Sequence, residues 1–133
     1  MTVLKAKQLF FMALLSLALV GCAGQQVLNV QSEIVPSNVT SKEEVKKAIV
    51  QAGGSLGWRV RELDENTLMA TINVRNKHGV EVKIPYSQSE YSILYKTSKN
   101  LKYDAEKNTI HKNYNSWINN FNNRIQDNFN ITY

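Results

Sequence analysis

Few residues in this 133-residue chain have the types and spacing that catalysis requires. Gly53-Gly54-Ser55-Leu56-Gly57 fits Gly-x-Ser-x-Gly. A nucleophile elbow of that pattern runs from a strand into a helix on a large parallel sheet, which lifts the serine hydroxyl into the open. Here helical periodicity precedes the glycines and strand periodicity follows them. The order is reversed, and the glycines read as a helix stop. His78 and His111 stand apart, with no second ligand or paired carboxylate at metal spacing, so each reads as a surface or capping residue and no metal site is expected. Glu62, Asp64 and Glu65 cluster in a turn and read as solvated charges. No phosphate-binding glycine loop occurs. Nothing supplies nucleophile, base and oxyanion site together, and the expectation is a non-enzymatic protein with no catalytic residue.

The remaining chemically distinctive residue is Cys22, the sole cysteine, which excludes an intrachain disulfide. It follows two lysines, Lys5 and Lys7, and an uncharged apolar run from Leu9 to Val20. That run, as a helix, covers about 18 Å, short of a hydrocarbon core about 30 Å thick. A positive start, a short apolar segment and a small residue at its end form the layout of an export signal. Leu19-Val20-Gly21-Cys22 resembles the lipobox of bacterial lipoproteins. The resemblance implies removal of residues 1–21, thioether attachment of diacylglycerol to Cys22 and an N-acyl chain on the new terminus, with no other cofactor. Two or three acyl chains, at about 0.8 kcal/mol for each buried methylene, hold a protein on a membrane essentially permanently. In such lipoproteins an Asp after the cysteine favours inner-membrane retention; Ala23 therefore points to the outer membrane, periplasmic face.

The chain has 16 basic and 11 acidic residues. Without Lys5 and Lys7 the basic count falls to fourteen, and the net charge from +5 to +3. So mild a basicity gives little support to nucleic-acid binding. From residue 22 to 133 there is length for one small core. Residues 22–40 read as the lipidated terminus and a tether, although Val27, Leu28, Val30, Ile34 and Val35 suggest that part docks as an extra edge strand. Residues 41–133 read as a single α+β domain.

Within that domain, Ser41 followed by Glu44 is a capping box, and Val45, Ala48, Ile49 and Ala52 form one apolar stripe that Gly53-Gly54 should end. Four segments then alternate with period two: Trp58 to Leu63, Leu68 to Arg75, Gly79 to Tyr86, and Tyr91 to Lys96, with Asn76-Lys77 as a tight hairpin turn. Each has one apolar face and one mostly polar face, the pattern of an antiparallel sheet covered on one side. A last helix carries Ile110, Tyr114, Trp117, Ile118, Phe121 and Ile125, capped by Asn108 or Thr109. Its many asparagines are poor helix formers, so it depends on burial of its stripe. The expected fold is an α+β two-layer sandwich, a four-stranded antiparallel meander with two helices on one face in the order α-β-β-β-β-α.

Ile84-Pro85-Tyr86, Tyr91-Ser92-Ile93, Asn100-Leu101, Ile110-His111, Tyr114-Asn115 and Trp117-Ile118 resemble a family of small, uncharacterised proteobacterial outer-membrane lipoproteins. The resemblance implies the anchor and the address, and no particular chemistry. Two surfaces then carry functional expectations. The uncovered sheet face would present Arg59, Arg61, Arg75, Lys83 and Lys96, with Glu81, Leu94 and Met69 among them. It would suit an anionic partner such as another envelope protein, anionic lipid or cell-wall polymer; its plainer role is to keep the sheet soluble. Trp58, Tyr86, Tyr91, Tyr95, Tyr114 and Trp117 would either line a small-ligand pocket of a carrier domain or form plain core.

Overall fold

The computed structural model describes residues 24–131. The expected signal segment, residues 1–21, and Cys22 lie outside the described residues. Two short strands open the chain, β1 (Gln25–Gln26) and β2 (Val30–Ile34), followed by helix α1 (Lys42–Ser55). Four strands come next: β3 (Arg59–Asp64), β4 (Thr67–Val74), β5 (His78–Pro85) and β6 (Glu90–Lys99). The short β7 (Thr109–Ile110) and helix α2 (Lys112–Phe129) complete the fold. The class is α+β, as the alternation predicts, but the sheet has five antiparallel strands in the order β2-β6-β5-β4-β3 rather than four. A separate two-stranded ribbon joins β1 to β7.

Part of the segment 22–40 docks as the extra edge strand that its apolar residues suggest, β2 on β6. Val27, Val30, Val35 and Val39 are buried. Asn115 on α2 clamps the strand: its amide donates to the Gln26 carbonyl (2.8 Å) and its Oδ1 accepts the Leu28 N–H (2.9 Å). Ile34, by contrast, is 76% exposed, because a bulge between Val30 and Glu33, with Ser32 at φ 50°, shifts the side-chain alternation by one.

Helix α1 begins at the predicted cap. Ser41 Oγ accepts the Glu44 N–H at 3.2 Å, while the Glu44 carboxylate accepts from Thr40 N–H, one residue earlier than the reciprocal bond of the standard box. Its end departs from expectation. The helix runs through Gly53 and Gly54 to Ser55 and stops at Gly57, whose φ is +88°. Trp58 N–H bonds to the Gly53 carbonyl (2.9 Å) and Gly57 N–H to that of Gly54 (3.3 Å), which is the Schellman arrangement. Gly53 is kept small for another reason. A Cβ there would meet Val60 Cγ2 at 2.6 Å and Phe121 Cζ at 3.1 Å, so α1, α2 and β3 touch through it.

Helix α2 starts later than its apolar period suggests. Ile110 is a buried strand residue, and the cap is His111, whose Nδ1 accepts the Asn113 N–H (3.1 Å); neither Asn108 nor Thr109 caps. The stripe that reaches the core is Tyr114, Ile118, Phe121, Ile125 and Phe129, with Trp117 half-buried beside it. Both helical stripes share one buried cluster with Leu68, Ala70, Ile72, Val80, Val82, Ile84 and Ile93 on the sheet. The β4–β5 turn is also displaced by one residue. Its central pair is Arg75-Asn76, both at positive φ (56° and 54°), closed by Lys77 N–H on the Val74 carbonyl, as in a type I′ turn.

The two adjacent glycines offer a paired test in urea unfolding. Gly53→Ala should destabilise by about 1–3 kcal/mol through overpacking. Gly54→Ala, whose Cβ would meet nothing within 4 Å, should stabilise by about 0.5–1 kcal/mol. Equal effects would mean that Gly53 does not set the approach of the three elements.

Candidate functional site: the open sheet face

The sheet face away from the helices carries no described element. The register lines up Arg61, Met69, Lys83 and Leu94 across four strands, and Arg59, Thr71, Glu81 and Thr97 in a second row. Met69 is 1% exposed although it points away from the core. Flanked by Arg61 and Lys83, it lies under the apolar stems of long cationic side chains whose heads reach water. Glu81 gathers two cations: Lys96 Nζ stands 3.3 Å and Arg61 Nη2 3.6 Å from the same carboxylate oxygen. Their side chains are 43% and 64% exposed, so these contacts set geometry more than stability. Arg59 and Lys83 make no ion pair among the described residues. The face therefore carries four of the five predicted cations, Arg59, Arg61, Lys83 and Lys96, two of them at Glu81. The fifth, Arg75, belongs to the β4–β5 turn and stands off the face. Lys96 reaches it through a bulge opposite Glu81 and Val82 that adds one residue to β6.

The six aromatic residues considered for a pocket are dispersed through the core. Trp58 packs on Phe121 (5.1 Å between centroids), Tyr91 on Phe129 (6.0 Å), and Tyr95 between Tyr103 (4.5 Å) and Tyr114 (5.5 Å). Tyr86 lies beneath the Lys42 ammonium, and Trp117 faces His78 at 6.5 Å. A depression of about 380 Å³ opens elsewhere, between the start of α1 and the end of α2, and is lined by Asn38, Val39, Glu44, Lys47, Ala48, Gln51, Asn128, Phe129 and Ile131. A shallower one of about 220 Å³ sits on the open face over Gly79, between Thr71 and Thr97.

The residues tested for chemistry find structural partners. Ser55 Oγ donates to the Ala52 carbonyl (2.8 Å) and accepts from Arg124 (2.9 Å). The final glycine of its motif is the helix stop. His78 Nδ1 meets the Asn100 carbonyl at 2.9 Å, and His111 caps α2. Glu62 pairs with Lys46, and Asp64 Oδ1 accepts the Asn66 N–H in the β3–β4 turn. No group of three or more His, Cys, Asp or Glu at metal-binding distance occurs among the described residues.

What residue-by-residue reading misses is a second basic surface. The hairpin tip with Arg75 and Lys77, the end of β6 at Lys99, the loop with Lys102 and Lys107, and the start of α2 at Lys112 all lie at one end of the sheet. Asn100 fixes this end, its amide donating to the Lys77 carbonyl (2.7 Å). The local signal was the lysine density from 99 to 112, but only strand register joins it to Arg75 and Lys77.

The chain matches no family model, no curated protein and no solved structure.

Two buried phenols give the site's scaffold a definite response to pH. Burial is the first cause that pushes Tyr91 and Tyr114 well above the usual tyrosine range, with the Glu33 charge adding at Tyr91 and Tyr95 at Tyr114. A hydrogen bond from Gln126 to the Tyr91 oxygen partly opposes the rise. The folded chain keeps both protons where the unfolded chain releases them. Stability should hold up to about pH 10 and then fall by up to about 1.4 kcal/mol per pH unit for each tyrosine. Urea midpoints measured across about pH 8 to 12 check this, and midpoints that do not fall above about pH 10 would contradict it. Tyr114→Phe should be neutral or stabilising, since its hydroxyl has no partner among the described residues. Tyr91→Phe, which loses bonds with Asn122 and Gln126, should cost about 1–2 kcal/mol.

Proposed function

We propose that this chain is a lipid-anchored, periplasm-facing outer-membrane protein with no enzymatic role, an interaction module whose open basic sheet face contacts an anionic surface of another envelope component. The anchor reading is supported by the cationic start at Lys5 and Lys7, the short apolar run and Leu19-Val20-Gly21-Cys22. The observation that carries the interaction reading is the uncovered face itself. Four exposed cations stand on the strands of this face, Arg61 and Lys96 paired to Glu81, with the buried Met69 set between Arg61 and Lys83. Arg59 and Lys83, outside the Glu81 cluster, have the greatest freedom to meet a carboxylate or phosphate. Of the aromatics considered for a ligand pocket, Trp58 packs on Phe121, Tyr91 on Phe129 and Tyr95 on Tyr114, contacts that favour a core role for these rings.

Two measurements test the halves separately. Cys22→Ala should block cleavage and incorporation of labelled fatty acid; unchanged processing and membrane attachment would remove the anchor. A photocrosslinker at the exposed Thr71, in the middle of the open face, should capture a defined envelope partner. Charge reversal of Arg59 and Lys83 should weaken that capture about tenfold with the fold intact. Capture that is indifferent to the reversal would sink the interaction reading while leaving the anchor standing.

A further inference from the structure

The ribbon of β1 and β7 fixes where the anchor leaves the domain. Gln25 pairs with Ile110 and Gln26 with Thr109, and the strand is pinned on both sides: Gln26 Nε2 donates to the Lys107 carbonyl, and Val27 N–H to that of Asn108 (3.0 Å). Three Cα steps separate Cys22 from Gln25, at most about 11 Å of chain. A lipid on Cys22 therefore holds this end of the domain at the bilayer, with no long leash through which the rest could rotate away.

That end is basic. Arg75, Lys77, Lys99, Lys102, Lys107 and Lys112 are all exposed there, and none makes an ion pair among the described residues. Lys107 and Lys112 flank the strand that pairs with Gln25. Lys102 follows Leu101, whose carbonyl accepts the His111 N–H at 2.8 Å. Two acids share the end: Asp104 is engaged by the amides of Glu106 and Lys107 (3.0 and 3.1 Å), and Glu106 is exposed. The opposite end of the strands is acidic, with Asp64 and Glu65 in the β3–β4 turn, Glu33 and Glu90 where β2 meets β6, and Glu43 and Glu44 in the first turn of α1. Tyr103, 41% exposed and stacked on Tyr95 at 4.5 Å, stands among the lysines as an aromatic of the kind favoured at headgroup level.

We propose that this basic end is a membrane-facing surface. Lys102, Lys107 and Lys112, with Arg75, Lys77 and Lys99 around them, lie on the anionic headgroups of the leaflet that holds the anchor. The acidic end then points away, and the open sheet face stands side-on to the membrane, free for its partner. The charge separation and the exit point of the chain agree in direction, although they arise from different elements. The inference rests on the lipidated reading of Cys22.

The test uses the mature lipidated protein in vesicles of phosphatidylcholine and phosphatidylglycerol in equal parts, with a trace lipid carrying a nitroxide on its headgroup. A fluorophore is placed on Ala105→Cys at the basic end or on Glu65→Cys at the acidic end, and mass spectrometry reads the acyl chains on Cys22. Quenching at position 105 should exceed that at 65 about threefold, and the ratio should fall by about half in phosphatidylcholine alone, at high salt, and in the triple reversal K102E/K107E/K112E. Acylated protein quenched equally at both positions, or with the same ratio in both vesicle types, overturns the membrane-facing surface and leaves the anchor intact. Protein without acyl mass overturns both. The comparison of vesicle types uses the unreversed charges, so it decides even if the triple variant folds poorly.

Discussion

Three elements of this protein meet at one missing methyl group. Gly53 lies where α1 crosses both the edge strand β3 and the helix α2, and a Cβ there would stand well inside contact distance of Val60 and close against Phe121. That closeness lets Phe121 reach Trp58 and lets two antiparallel helices cover the same sheet face. A glycine within a helix costs up to about 1 kcal/mol in propensity. The offset is the contact it permits, together with the Schellman turn four residues on, which delivers the chain directly from Gly57 into Trp58. Because both helices lie on one side, the other side of the sheet is left open.

Much of this fold was legible in the residues. Ser41 and Glu44 marked a helix start, and clean alternation marked the cores of four strands and the face each would bury. The departures share a physical cause, which is that local periodicity fails wherever tertiary pairing inserts or moves a residue. The bulge at Ser32 breaks the alternation of the expected edge strand β2 and turns Ile34 outward. The bulge at Lys96 lets β6 continue to Lys99 after its alternation breaks. Ile110 fits the helical stripe by spacing, but the pairing with Gln25 makes it a strand. Gly53-Gly54 reads as a stop by propensity, yet positive φ is needed only at Gly57. Of the candidate site, the cations on strands were readable from parity, whereas Arg75 was misplaced by a one-residue shift in the turn. The basic end required the register of strands distant in sequence.

The asparagines of α2 illustrate how composition and context part company. They are weak helix formers on a polar face, but several connect elements. Asn115 holds the N-terminal strand, Asn122 meets the Tyr91 hydroxyl, and Asn128 donates to the Ala48 carbonyl at the other helix (3.0 Å). An amide both donates and accepts, so one side chain can satisfy a strand's N–H and C=O at once, as Asn115 does. With a single cysteine and so no intrachain disulfide, these bonds and the aromatic interior fasten the N-terminal strand and α2 to the middle of the domain.

The edge strand β3 has a further property. If two copies pair edge to edge about a two-fold axis, the same sheet face stays uppermost, so opposed residues must share parity. Centred on Val60, such a pair sets Arg59 against Arg61; centred on Arg61, arginine meets arginine; on Glu62, glutamate meets glutamate. Like charges confront each other in every one of these registers. The order Arg-Val-Arg-Glu-Leu-Asp thus makes β3 a poor template for its own kind, and molecules crowded side by side keep separate sheets.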